Sequence, residues 1–245
     1  MLSWFVENNI KIREVVTPSD ALWSASATFF ITEDGKLYAC GYNGYGQLGN
    51  GTTTNSQTPI RCGNLTGVKQ VAVTSSKYMS VYAIDNKGDL WSWGYNAQGR
   101  LGLGDQTARH SPTKVTALNK VKQISAIAGD HTNHGDQSDA HALALLEDGT
   151  VYATGDNNHG QLGVGDTTDR HSFTLISGSL PKIKQVYAGG SYYGYSATLD
   201  EDDNLWTWGH NYYGQLGHGD TDNKTAPLEP TTKPMDLANF STFWL

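Results

Sequence analysis

Short apolar runs alternate with turn residues along the chain, and the alternation repeats. β-Branched segments "REVV", "KQVA", "KQIS" and "KQVY" start at Arg13, Lys69, Lys122 and Lys184. Each is followed by a second run such as "SVYAI" or "HALALL", then a tight acidic or Gly-containing turn, then a third run: "KLYAC", "DLWSW", "TVYAT" and "NLWTW". A fourth run falls near Pro59, Pro112, Phe173 and Pro227. Runs this short, bounded by turn residues and without helical periodicity, predict four strands in each unit of roughly 50 residues. In the third strand Ala39, Ser92, Ala153 and Thr207 share one parity and Tyr38, Trp91, Tyr152 and Trp206 the other. Successive strand side chains point to opposite faces, so a large residue of one unit can pack against a small residue of the next.

Between the third and fourth strands stands a glycine-rich motif: "GYNGYGQLGNG" from Gly41, "GYNAQGRLGLG" from Gly94, "GDNNHGQLGVG" from Gly155 and "GHNYYGQLGHG" from Gly209. The first glycines are 53, 61 and 54 residues apart, the signature of a repeat architecture. Glycine reverses the chain at φ > 0 without steric cost, and Asn43, Asn96, Asn157 and Asn211 can bond their own backbone within the turn. Leu48, Leu101, Leu162 and Leu216 supply a buried anchor for each unit. The motif does not end in Lys-Ser/Thr before a helix, so it is a framework and not a phosphate cradle.

The pairing of "EDGTVYATG" with "GHNYYGQLGHGD" resembles the regulator of chromosome condensation repeat family across nearly the whole chain. The resemblance implies an all-β fold, a β-propeller-type array of four-stranded antiparallel blades; members commonly have seven. Here there are about four repeats in a single domain spanning 1–245, a partial or small ring, with motifs centred near 33–60, 86–113, 147–174 and 201–228. The segment "SWFVENNIKI" from Ser3 aligns with "PIRCGNLTGV" from Pro59, the last strand of a unit and its exit. On that alignment the termini are out of phase with whole blades, and the terminal strands share one blade, within a chain or across two. Almost no helix is expected.

The 245 residues and 38% hydrophobic content suffice for a substantial core. A formal charge of −7 with scattered Lys and Arg disfavours nucleic acid as a partner. No apolar run is long enough to span a membrane, and the N-terminus lacks a signal-peptide pattern, so a soluble location, cytoplasmic or virion-associated, is expected. Cys40 and Cys62 are expected to remain thiols, partly buried.

Chemistry is sparse. The insertion "GDHTNHGDQSDAH" gathers His131, His134 and Asp136 as candidate metal ligands beside Asp130, Asp139 and His141, against which stands the stronger reading of a polar loop. The acidic pairs Glu33 and Asp34, Glu147 and Asp148, and Glu201 and Asp202 recur at one hairpin position, which marks them as turn residues and not catalytic carboxylates. No catalytic motif is present and no cofactor is implied, so the chain is read as a non-enzyme. Guanine nucleotide exchange on a small GTPase, the best-known activity of the resembled family, is one alternative. A bacteriophage virion or tail component is another, since related repeats occur in such proteins. The preferred reading is a protein-binding or structural module, in a larger assembly or self-associating. Its candidate interface is Tyr42, Tyr45, Tyr95, Arg100, His159, His210, Tyr212 and Tyr213, positions within the turn frame that the frame does not prescribe.

Overall fold

The computed structural model describes residues 2–18, 26–74, 78–127, 140–178, 180–190 and 193–229. Four antiparallel four-stranded sheets follow one another along the chain. Blade 1 comprises β1 (Ile12–Val16), β2 (Ala27–Thr32), β3 (Leu37–Gly41) and β4 (Ser56–Arg61). Blade 2 comprises β5 (Val68–Val73), β6 (Ser80–Asp85), β7 (Leu90–Gly94) and β8 (Arg109–Lys114). Blade 3 comprises β9 (Val121–Ile127), β10 (His141–Leu146), β11 (Val151–Gly155) and β12 (Arg170–Leu175). Blade 4 comprises β13 (Ile183–Gly189), β14 (Tyr195–Asp200), β15 (Leu205–Gly209) and β16 (Lys224–Leu228).

In every blade the pairing of third and fourth strands slips just before the closing glycine, as between Ala39 and Gly41 or Ser92 and Gly94. That glycine is required by a close approach as well as by its dihedral. A Cβ on Gly41, Gly94 or Gly155 would lie 2.4 Å from the carbonyl oxygen of Ser26, Met79 or Ala140, and all three have φ near +100°.

The cores lie between blades. Phe29, Ile31, Leu37, Ala39 and Leu48 of blade 1 meet Val71, Val81, Ala83 and Trp93 of blade 2. The next two junctions repeat the arrangement, with Tyr82, Ile84 and Leu90 against Val121 and Ile124, then Leu143, Leu145 and Leu162 against Ile183, Val186 and Trp208. Trp91, Tyr152 and Trp206 pack toward the preceding blade, where large meets small as the strand parity predicts. Cys40 and Cys62 are thiols more deeply buried than expected, and burial pushes both up from the ordinary thiol range.

Two expectations are corrected. The N-terminal segment is not the last strand of a blade: Leu2–Glu7 forms a helix, α1. Each described sheet is completed within its own repeat, and none joins β1 to β16. Among the described residues, therefore, no blade is shared between the two ends of this one chain and no ring is closed, while residues 230–245 lie outside the described residues. The physical reason for the helix is that the apolar side chains of α1 cover a face of blade 1, with Phe5 at 3% exposure packed on Phe30, Cys40 and Tyr38. Deleting residues 1–9 should cost about 3 kcal/mol of apolar burial and lower the melting temperature by about 2–4 °C for each kcal/mol lost. An unchanged melting curve would show that α1 is only a tail.

Candidate functional site

The glycine motif is built around its asparagine. Asn157 Oδ1 accepts the Leu162 N–H at 2.9 Å, while Nδ2 donates to the Asp166 and Thr168 carbonyls at 2.9 and 3.0 Å. Asn43 and Asn96 make the same three bonds in their own turns, and Asn211 makes the equivalents to Leu216 and Asp220. All four are buried at 0–1% exposure, as are the leucines they position. The turns are thus rigid platforms whose remaining side chains can be displayed.

The structure brings those side chains together in two clusters, each at the junction of two blades. At junction 1/2, Tyr45 from the blade 1 turn meets Tyr78 and Tyr95 of blade 2, with ring centroids 4.9–5.1 Å apart. Tyr42 flanks Tyr45 at 6.5 Å. At junction 3/4, His159 from the blade 3 turn meets Tyr193 and His210 of blade 4, with centroids 4.4–5.0 Å apart. Tyr212 stacks toward His210 at 6.5 Å, and Tyr213 meets Tyr212 edge-on at 4.9 Å. The triangles occupy equivalent positions. In each, one ring lies four residues after the first glycine of a turn, one directly follows the first glycine of the next turn, and one lies two residues before the next blade's second strand.

Tyr212 and Tyr213 are 67% and 81% exposed, whereas His210 is 6% exposed and forms the floor of its cluster, with Nδ1 2.8 Å from Gln215 Nε2. Tyr42, Tyr45, Tyr95 and His159 are half-buried. Arg100 does not lie on the surface: it is fully buried at the position that Gln47 and Gln161 hold in other turns. Its Nε donates to the Ala97 carbonyl at 2.9 Å, and its guanidinium lies 5.1 Å from the Tyr95 ring centroid. Arg100 therefore supports the first cluster from beneath.

Tyr78 and Tyr193 are the members that sequence reasoning missed. They stand in segments outside the motif, and the only signal is their shared offset before the second strand.

Basic groups at this end are engaged by aspartates, Arg109 with Asp105 at 2.6 Å, Arg170 with Asp166 at 2.7 Å and Lys224 with Asp220 at 2.9 Å. Those hydrogen bonds hold the three carboxyls below the usual range. His141 is buried at the head of β10 with Nε2 2.9 Å from Ser196 Oγ, and burial pushes its imidazole down to about 3. The other metal candidates, His131, His134 and Asp136, lie outside the described residues. Among the described residues no three His, Cys, Asp or Glu side chains are grouped to hold a metal, and no helix is long and apolar enough to cross a membrane. The hairpin acids behave as turn residues, with Asp148 Oδ1 accepting the Thr150 N–H at 3.0 Å.

The family model described as "Regulator of chromosome condensation (RCC1) repeat" matches residues 34–82, 87–132 and 202–243, and a second model of that description matches 137–161. The human E3 ubiquitin-protein ligase HERC2 is 30% identical over 214 residues, covering 86% of this chain and 4% of that protein. The human X-linked retinitis pigmentosa GTPase regulator is 41% identical over 157 residues, covering 63% of this chain and 14% of that protein. The chain thus spans only a small part of the length of these relatives. Among solved structures, Prp20p of Saccharomyces cerevisiae superposes with a TM-score of 0.67 at 21% identity, over 91% of this chain and 51% of that one.

Proposed function

Because this chain belongs to the regulator of chromosome condensation (RCC1) repeat family, we propose that it is a non-catalytic protein-binding module that engages its partner through the glycine-turn end of the blades. The observation that carries this reading is the pair of equivalent aromatic clusters at junctions 1/2 and 3/4, with Tyr212 and Tyr213 exposed beside the second. Rigid aromatic side chains give large contact area for little lost conformational entropy, and they dominate binding hot spots. Nothing in the turn frame requires two exposed tyrosines, since Leu216 and Asn211 already complete that turn.

Replacing Tyr212 and Tyr213 together by alanine should leave the melting curve nearly unchanged and weaken partner binding by more than about 1 kcal/mol, roughly fivefold in Kd. Partner captured on immobilised parent protein, then titrated against both forms, provides the measurement. Unaltered binding would move the interface elsewhere, and a lowered melting temperature would assign the tyrosines to the core.

Nucleotide exchange is the alternative within reach of an assay. Prp20p was characterised together with its binding to Gsp1p and histones, and the retinitis pigmentosa relative is a GTPase regulator by name. At 21% identity the first supports the fold alone, and the second is matched over 14% of its length. Release of labelled GDP from a small GTPase should therefore not accelerate when this chain is added. The virion alternative rests on the occurrence of related repeats in such proteins and on composition, and no relative or solved structure named above adds to it.

A further inference from the structure

Three of the four glycine turns carry a glutamine that holds a displayed residue by its backbone. Gln47, Gln161 and Gln215 accept the N–H of Tyr45, His159 and Tyr213 on Oε1, at 2.9, 2.8 and 3.0 Å. A backbone N–H can only donate, so each Oε1 is committed and the amide nitrogen faces the other way. In blade 3 Gln161 Nε2 donates to the Asp156 carboxylate, and in blade 4 Gln215 Nε2 lies 2.8 Å from His210 Nδ1. Asp156 and His210 hold the same place, directly after the first glycine of their motifs. The two bridges differ in their acceptor.

That difference decides the chemistry of His210. The Gln215 amide nitrogen is a donor, so Nδ1 presents its lone pair and the imidazole is the neutral Nε2–H tautomer. A proton on Nδ1 would set two donors against each other at 2.8 Å. Turning the amide over does not help, because its NH2 would then meet the Tyr213 N–H. A carboxylate accepts in its ionised form and titrates well below an imidazole, so the blade 3 bridge keeps its acceptor in mild acid. His210 is 6% exposed, and among the described residues the titratable groups facing it are Tyr193 before β14, His159 of the blade 3 turn and Tyr212 of its own turn, at centroid distances of 4.4, 5.0 and 6.5 Å. Its N–H donates to the Gly194 carbonyl at 3.0 Å, and a Cβ on Gly194 would lie 3.0–3.1 Å from Gln161 and His141 Nδ1. Asp220 and Lys224, further along the same turn, pair with each other.

We propose that His210 is an acid-released latch on the blade 4 turn: taking up a proton at Nδ1 breaks its bond to Gln215, frees the Tyr213 backbone and loosens the exposed Tyr212–Tyr213 pair. The latched form excludes the proton and the released form takes it. Falling pH therefore favours release across the range in which imidazoles titrate, between about pH 7 and pH 5. Its consequence, a binding end that weakens in acid, rests on the turn-end reading; the latch itself does not.

NMR of the full chain tests it. At about pH 7 the His210 ring nitrogen resonances should show Nε2 protonated and Nδ1 bare. Between about pH 7 and pH 5 the protection of the Tyr213 amide against exchange, corrected for the intrinsic rate, should fall at least about fivefold. The His159 amide, held through the Asp156 bridge, should change little. In His210→Tyr, which installs the residue that blade 1 carries at Tyr42, the Tyr213 amide should lose its pH response. Should that variant disturb the cluster, the comparison of Tyr213 with His159 in the parent decides. A proton on Nδ1 at about pH 7, a Tyr213 amide indifferent to pH, or an equal loss at Tyr213 and His159 would each overturn the latch. Release of Tyr213 without any change in partner affinity would uphold the latch and refute the turn-end reading instead.

Discussion

Replacing Trp93 or Trp208 by alanine is expected to destabilise the fold by about 3–5 kcal/mol each, the range for deleting a buried aromatic. Both indoles are at 0% exposure, Trp93 between blades 1 and 2 and Trp208 between blades 3 and 4. Each also bonds across its junction: Trp93 Nε1 donates to the Gln47 carbonyl at 2.8 Å and Trp208 Nε1 to the Gln161 carbonyl at 2.9 Å. Alanine removes the packing volume and this bond, although the Gln161 carbonyl keeps the Ser196 hydroxyl as a donor at 2.8 Å. Phenylalanine keeps most of the volume and loses only the bond, so its cost should be smaller, about 1–3 kcal/mol. Because each blade packs mainly on its neighbours, the damage should be local. Hydrogen exchange in Trp93→Ala should quicken at junction 1/2 before junction 3/4, and the reverse in Trp208→Ala. A loss below about 1 kcal/mol in denaturant titration would contradict the assignment of these residues as junction anchors.

These two tryptophans also show what the sequence made legible. Their strand, its parity and the glycine turn after it follow from local rules, and blade order follows from repetition, because each of these is decided within a few residues. Contacts between blades are not decided locally. Tyr78 and Tyr193 reach the clusters only because one blade's turn lies over the next blade's second strand. Arg100 is expected at the interface because its identity varies between the aligned turns, yet it is buried at the position where Gln47 and Gln161 are buried in other turns; a change of side chain there does not bring the position to the surface. The helix α1 was misread because a short apolar segment has no decisive period. What settles its form is the face of blade 1 where Phe30, Tyr38 and Cys40 are covered by this short helix.

The asparagine of the glycine motif should prove as sensitive as the tryptophans, for a different reason. In Asn157→Ala the Leu162 N–H and the Asp166 and Thr168 carbonyls lose the amide that satisfies all three in a site of 0% exposure. Each buried group left without a partner costs about 1–3 kcal/mol, so a total of about 3 kcal/mol or more is expected even if one group regains water. Asn157→Asp separates the roles. Its carboxylate can still accept from Leu162, but it has no proton to offer two carbonyls, and the negative charge is buried beside Asp166. Burial and the neighbouring carboxylate raise the introduced acid's folded-state pKa above its unfolded value, so the folded state takes up a proton first as pH falls. Below neutrality that proton restores one donor, and the deficit of Asn157→Asp relative to the parent should shrink between about pH 7 and pH 5, while that of Asn157→Ala stays constant. Parallel denaturant titrations of the three proteins at both pH values measure this. A deficit for Asn157→Asp that is independent of pH would mean that the side-chain amide is not the donor holding the turn.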